Sequence, residues 1–258
     1  MNTHEQYPAP PVTNLARVRD QLVAKFPGRI AVLITGWDTF PVDGGAHVRQ
    51  LVESFARRVG ESAVADKVLL VGSCGGLDGR QPWDNVIQET VCELRADAVP
   101  MIKLLFYNSA VSRGALIGHR GNHTAVTIAC SDETNSAGEI IAQQGWKAFL
   151  APVGLCFGGG PRARLLVSTE ADGASFKPLA LPASGGSYQS ELIDGACKDW
   201  RPEGVAEGTW RALKAKREGD LSSADELRSY VDNLLEALEG VVAAAAAAGD
   251  VAEGGANE

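Results

Sequence analysis

The sequence lacks several features that would place a protein in a class at once. No apolar run approaches the roughly 18 residues of a membrane span, and the polar, proline-rich start is not a secretory signal, so we expect a cytoplasmic protein. The net charge is -8 without a basic cluster, which argues against nucleic-acid binding. Five cysteines without a Cys-x-x-Cys pair are typical of reduced thiols. We predict no metal and no cofactor.

Apolar runs alternate with helical patterns along most of the chain. Strands are predicted at 30–35, 68–71, 102–107, 125–129, 148–153 and 164–168, and helices at 15–26, 47–59, 137–144 and 224–248. The segment 86–94 fits either a strand or a helix. This alternation predicts a three-layer α/β/α fold with a mostly parallel or mixed sheet.

Four regions follow from these patterns. They are a flexible N-terminus at 1–13, an α/β core at 14–200, a C-terminal helical extension at 201–248 and a disordered tail at 249–258. Leu227, Leu234 and Leu238 recur at helical spacing in the extension. Their face should pack on the core or on a partner, including a second copy of the chain in a homo-oligomer.

The most informative stretch is VLLVGSCGGLDG, where a buried strand enters a glycine turn at 72–76. Glycines let the backbone turn sharply and approach a bound group closely. In one interpretation this is a ligand loop, in which an anion or a sugar is contacted by Gly72, Ser73, Gly75 and Gly76. In another, Cys74 is a nucleophile at a strained turn, with His119 or His123 as its base. The third is a tight turn with Cys74 packed as a small apolar residue.

Polar residues follow two further predicted strands. Asp38 comes after the first, while Asp132, Glu133 and Asn135 come after the strand at 125–129. The carboxylates would act as acid, base or hydroxyl partner and Asn135 would orient a ligand, although helix capping uses the same residue types. Because parallel strands end at one edge, Asp38, Ser73 and Glu133 should line one pocket, with Cys74 at its floor and His119 near its rim.

Several segments resemble the purine nucleoside phosphorylase superfamily over about residues 30 to 155. AVLITGWDTFP, VRQLVESF and KVLLVGSCGGL resemble its strand, helix and glycine-turn strand, and ETNSAGEIIAQQGWKAFLAP resembles its E-M-E-x-A-G helix and next strand. The resemblance implies a hydrolase or transferase that acts on the N-glycosidic bond of a nucleoside-like small molecule. It implies that Ser73 and the 72–76 backbone contact an anion or the ribose.

The chain departs from that family in ways that favour water over phosphate as the acceptor. Glu133 matches the first Glu of the motif, but Asn135 replaces the ribose-binding second one. Leu69 or Leu70 stands where the family has a basic residue, and no Ser-Asp pair follows the predicted strand at 148–153. Glu133 or Asp132 would then stabilise positive charge on the sugar or position a water molecule.

A second resemblance leads to a different chemistry. TAVTIACSDETNSAGEIIAQQGWKAFLAPVG is similar to the end of caspase-like and CHAT peptidase domains, in which a buried strand ends at the catalytic cysteine. The nucleophile would be Cys130, with His119 or His123 as its partner. A non-catalytic domain that binds a ligand or partner is the third alternative.

Overall fold

The computed structural model of this chain describes most of its strands and helices. The described residues are 5–7, 15–36, 46–73, 87, 90, 91, 94, 101–106, 124–130, 133–134, 140–141, 150–151, 153–158, 177–181, 183, 201–217 and 219–254. The predicted strand at 164–168 lies outside them.

The centre of the fold is a sheet of seven parallel strands. In chain order they are β1 (Glu5–Tyr7), β2 (Ile30–Gly36), β3 (Val68–Ser73), β4 (Met101–Phe106), β5 (Thr124–Cys130), β8 (Val153–Phe157) and β9 (Lys177–Leu181). Their order across the sheet is β1-β5-β4-β3-β2-β8-β9, and every neighbouring pair is parallel. A separate antiparallel pair joins β6 (Glu133–Thr134) to β7 (Ile140–Ile141). The predicted α/β class is confirmed.

The central strands are almost wholly apolar because a parallel strand is covered on both faces. In β2, Val32 and Leu33 are both fully buried although neighbouring residues of a strand point to opposite faces. The amino end of the β2–β3 pair is tied down by Arg29, which donates to the carbonyl oxygens of Ala65 at 3.1 Å and Val68 at 2.9 Å. Strand β9 lies at one edge of the sheet, where Pro178 is tolerated without a donor N–H.

One face of the sheet is covered by long helices. The structure has α1 (Leu15–Lys25), α2 (Ala46–Glu61), a 3-10 helix (Ala63–Lys67), α3 (Glu207–Ala215) and α4 (Ala224–Gly254). Helices α2, α3 and α4 share a buried cluster with Val32 and Ile34 of β2. Within this cluster Leu234 and Leu238 of α4 are 0% and 1% exposed. Leu227 is partly buried and packs against the same cluster. The leucine face therefore packs on the chain's own core.

Two polar contacts also join these helices, one exposed and one part-buried. Arg58 of α2 donates from Nη2 to Oδ1 of Asp232 in α4 at 2.7 Å, and Thr209 of α3 donates to Glu236 of α4 at 2.7 Å. Arg58 and Asp232 are each about half exposed, so their ion pair contributes roughly 0.5 kcal/mol. The helix layer is held to the sheet mainly by the shared apolar cluster.

Both chain ends differ from the sequence predictions. The region 1–13, predicted to be flexible, contains β1, whose Tyr7 pairs with Ile128 of β5. Helix α4 continues to Gly254, although a disordered tail is predicted from residue 249. A three-residue edge strand such as β1 needs only backbone hydrogen bonds to its neighbour. Its sequence therefore shows no hydrophobic pattern from which the strand could be predicted.

Two internal predictions are wrong. The helix predicted at 137–144 is contradicted by Ile140–Ile141, which form β7; paired β-branched residues favour a strand. The strand predicted at 148–153 is displaced: Leu150 is helical and β8 begins at Val153. Periodicity cannot separate helix from strand in a short apolar run. The ambiguous segment 86–94 is helical at its described positions, 87, 90, 91 and 94.

The start of α4 is closed by a capping box. Glu226 N–H donates to Ser223 Oγ at 3.2 Å, and Ser223 N–H donates back to Glu226 Oε2 at 3.2 Å. The hydroxyls of Ser222 and Ser223 each donate to the same carboxylate oxygen at 3.1 Å. These hydrogen bonds lower the pKa of Glu226 from 4.5 to about 2, and the one from the Ser222 side chain has the largest effect.

This cap makes stability depend on pH in acid. Because the folded pKa of Glu226 is lowered, its contribution is complete above pH 4.5 and is lost as the pH falls towards about 2. We expect Glu226→Gln to lower the melting temperature at pH 7, and the gap from the native chain to close towards pH 2. Thermal unfolding followed by circular dichroism measures this gap. In a Ser223→Ala background the same substitution should show a smaller pH-dependent gap, and an equal gap at every pH would contradict the assignment.

Candidate functional site

The carboxyl ends of the seven main strands meet at one edge of the sheet. There β2 ends at Gly36, β3 at Ser73, β5 at Cys130 and β8 at Phe157. Parallel α/β sheets bind their ligands outside this edge. The candidate site is therefore this carboxyl edge, together with the segments that leave it.

Strand order sets how far apart the predicted site residues can be. Strands β2 and β3 are neighbours, so Ser73 lies beside the strand that Asp38 follows by two residues. Strand β5, which leads into Glu133, lies two positions from β3, or about 10 Å at the usual strand spacing. The three strand ends thus share one edge, and the common pocket stays a prediction. Asp38, Cys74, Gly75, Gly76, His119, His123, Asp132 and Asn135 lie outside the described residues.

Glu133 occupies a different local structure from the one its sequence suggests. It lies in β6 and pairs with Ile141 of β7 in antiparallel register. Because residues 140 and 141 are in a strand, Glu133 does not cap a helix over 137–144, and the helix implied by the phosphorylase resemblance is absent at these positions. The earlier segments that carry the resemblance form β2, α2 and β3.

The sequence pattern did not single out Lys103, which lies in β4 between the strands that carry Ser73 and Cys130. Its register partners are Gly72 in β3 and Thr127 in β5. The signal was present as a single charge inside the apolar run MIKLLF. Such a charge is uncommon in the middle of a parallel sheet.

Two further observations concern possible chemistry among the described residues as a whole. Burial raises the pKa of the Tyr230 hydroxyl well above its usual range, so this group stays protonated at neutral pH and is no base. Among the described residues, no group of three or more His, Cys, Asp or Glu side chains is placed to hold a metal ion.

Comparison with known proteins adds no assignment. No family model matches the chain, and no curated protein matches it. Within the part of the chain that the structure describes, no helix is both long and apolar enough to cross a membrane.

Proposed function

We propose that this chain is a cytoplasmic hydrolase or transferase that acts on the N-glycosidic bond of a nucleoside-like small molecule. The observation that carries the proposal is the all-parallel sheet, whose carboxyl edge collects the strand ends before Asp38, Ser73 and Glu133. The β2–α2–β3 unit supports it, because those segments carry the phosphorylase resemblance and have the expected secondary structure.

The proposal includes a third layer on the second face of the sheet. Leu33, Leu69 and Val71 are at most 2% exposed, yet they lie outside the cluster formed with α2, α3 and α4. Burial on that face needs a cover, and a three-layer α/β/α arrangement provides it. A sheet covered on both faces leaves its edges as the places where a small molecule can reach several strands.

In the proposed reaction, charge stabilisation drives cleavage of the glycosidic bond. Positive charge develops on the sugar as the base departs, and a carboxylate placed nearby stabilises it. Glu133 and Asp132 follow β5 and Asp38 follows β2. Strand β3, which ends at Ser73, lies between β5 and β2 in the sheet, and Ser73 with the glycine turn would contact the sugar.

A cysteine hydrolase is the second candidate, since a cysteine ends one strand at this edge and another follows a strand end in the sequence. Cys130 is the last residue of β5, and Cys74 directly follows the last residue of β3. Only a thiolate is a competent nucleophile, so alkylation separates the two mechanisms.

The experiment is a screen of nucleosides and nucleotides for base release, with and without phosphate and before and after iodoacetamide treatment. We expect release that survives alkylation. Loss of all activity after alkylation would favour the cysteine mechanism, and no turnover under any condition would favour a non-catalytic binding domain.

Glu133→Gln tests the charge-stabilising role. We expect kcat/KM for base release to fall about 100-fold, as when one group that stabilises transition-state charge is removed. The matched control is Glu207→Gln, which changes an exposed carboxylate on α3 that pairs with Arg211. Unchanged release by the Glu133 variant would remove this carboxylate from the mechanism and leave Asp38 and Asp132 as its candidates.

A further inference from the structure

The strands of the main sheet form two runs that meet between β2 and β8. From β2 the chain adds β3, β4 and β5 in succession towards one side of the sheet, whereas β8 and then β9 lie on the other side of β2. Strands β2 and β8 are parallel neighbours, and their register runs from Val32 beside Val153 to Gly36 beside Phe157. The direction in which the sheet grows along the chain is therefore reversed at the boundary between β2 and β8.

Right-handed connections that run in opposite directions across a parallel sheet lie on opposite faces of it. The described helices follow this rule. Helix α2, which leads from β2 to β3, shares the buried cluster with Val32 and Ile34. Helix α1 leads from β1 to β2 in the other direction, and its Leu22 is buried but is not part of that cluster. Because β8 to β9 has the same direction as β1 to β2, we expect the chain to leave β2 and β8 towards opposite faces, which opens a crevice between their ends.

Two glycines lie at the base of this crevice. Gly36 ends β2 and pairs with Phe157, the last residue of β8. Gly158 follows with φ +64, a left-handed conformation that favours glycine. Because neither glycine has a Cβ atom, a bound molecule can come close to the backbone N–H and C=O groups of both strand ends. The described residues at these two ends include no charged side chain, so a charged ligand group would lose its hydration there without gaining a partner.

We infer that the chain binds an uncharged polar small molecule in the crevice between the ends of β2 and β8, with Gly36 and Gly158 at its base. The reversal of strand order carries this inference, because parallel α/β sheets bind their ligands where such a reversal occurs. The inference goes beyond the proposed function, since it holds for any uncharged ligand of this chain. Strand β3 lies on the other side of β2, so Ser73 borders the crevice at one strand spacing from β2, about 4.8 Å.

Gly158→Ala tests the crevice by substitution, with Gly28→Ala as its matched control. Gly28 has φ +72 and nothing within 4 Å of an added Cβ atom, and it lies before the amino end of β2. Alanine is strained at both positions, but only the turn at Gly158 adjoins the crevice. We expect Gly158→Ala to weaken adenosine or benzamide binding about 10-fold, the lower range for a methyl-sized change in a pocket, and Gly28→Ala to leave it unchanged. Equal binding by the two folded variants overturns the inference.

Amide chemical shifts of the isotope-labelled wild-type chain locate the bound molecule, and they need neither turnover nor a substituted protein to fold. The chain is titrated with adenosine, which belongs to the proposed function, and with benzamide, which does not. We expect the largest shifts at the amides of Gly36, Phe157 and Gly158. If benzamide gives these shifts and adenosine gives none, the crevice is supported and the nucleoside is not its ligand. Largest shifts at Ser73 and Glu133 instead, no shift at the three amides with either probe, or tighter binding of AMP than of adenosine overturns the inference, and base release would still support the proposed function.

Discussion

Replacing Gly240 by alanine is expected to lower the free energy of unfolding by about 3 kcal/mol, the upper range for overpacking a well-packed contact. A Cβ atom at 240 would press on the Gly204 carbonyl oxygen and lie 2.8 Å from its carbon. Gly204 has φ +83, a left-handed conformation that its own substitution would strain. Because both partners are backbone, no side-chain rotation can relieve the clash, and α4 must separate from the segment before α3.

Gly208→Ala is the matched control for this prediction. Gly208 lies in α3, and a Cβ atom there would have no neighbour within 4 Å. Alanine is favoured over glycine in a helix by roughly 0.5–1 kcal/mol, so this variant should be as stable as the native chain or more so. Equilibrium unfolding in urea measures both. Equal stabilities for the two variants would show that α4 can move away from Gly204 at little cost.

Phe157→Ala should destabilise the chain by about 4 kcal/mol, as expected when a large buried ring is removed from a core. Phe157 ends β8 and is fully buried, as is Phe55 of α2, and their ring centroids are 5.8 Å apart. The ring links the helix layer to the end of the strand beside β2, so its removal opens a cavity directly below the candidate site.

Two further variants show whether this loss comes from the cavity. Phe157→Leu keeps most of the volume and should cost less than half as much, whereas Val23→Ala, at a position 53% exposed, should change stability by no more than about 0.5 kcal/mol. Denaturant midpoints at constant slope report the differences. A Phe157→Ala variant as stable as Val23→Ala would mean that the surrounding core collapses into the space.

The sequence predicts best those elements that carry their own local signal. Strand β2 is predicted at 30–35 and found at Ile30–Gly36, and α2 is predicted at 47–59 and found at Ala46–Glu61. An unbroken apolar run and an apolar stripe at helical spacing are properties of a few neighbouring residues, so no distant contact is needed to read them.

Elements that depend on distant partners could not be read in the same way. β1 is a strand only because Tyr7 meets Ile128 far along the chain, and β8 starts at Val153 where it lies opposite Val32 of β2. Each begins where a neighbour's hydrogen-bonding groups are available, which depends on the order of strands. That order is a property of the whole sheet.

The same distinction between local signals and distant partners applies to the candidate site. Asp38, Ser73 and Glu133 could be grouped from the sequence because each follows a predicted strand, and the parallel sheet places those strand ends at one edge. The pairing of Lys103 with Gly72 could not be predicted in this way, since it exists only once β3 and β4 are in register. A lone charge in an apolar run indicates an unusual position, but it does not show which strand lies beside it.

The position of α4 over β2 and α2 has a consequence for synthesis of the chain. β2 is the first element of the central core to leave the ribosome, and α4 is the last. The side chains of α4 that cover β2 and α2 include Leu234, Leu238 and Val242. Until the last helix emerges, Val32 and Phe55 lack part of their cover and present apolar surface to chaperones and to other nascent chains. A ribosome that stalls or terminates before residue 224 would therefore release a product prone to aggregation rather than a smaller working domain.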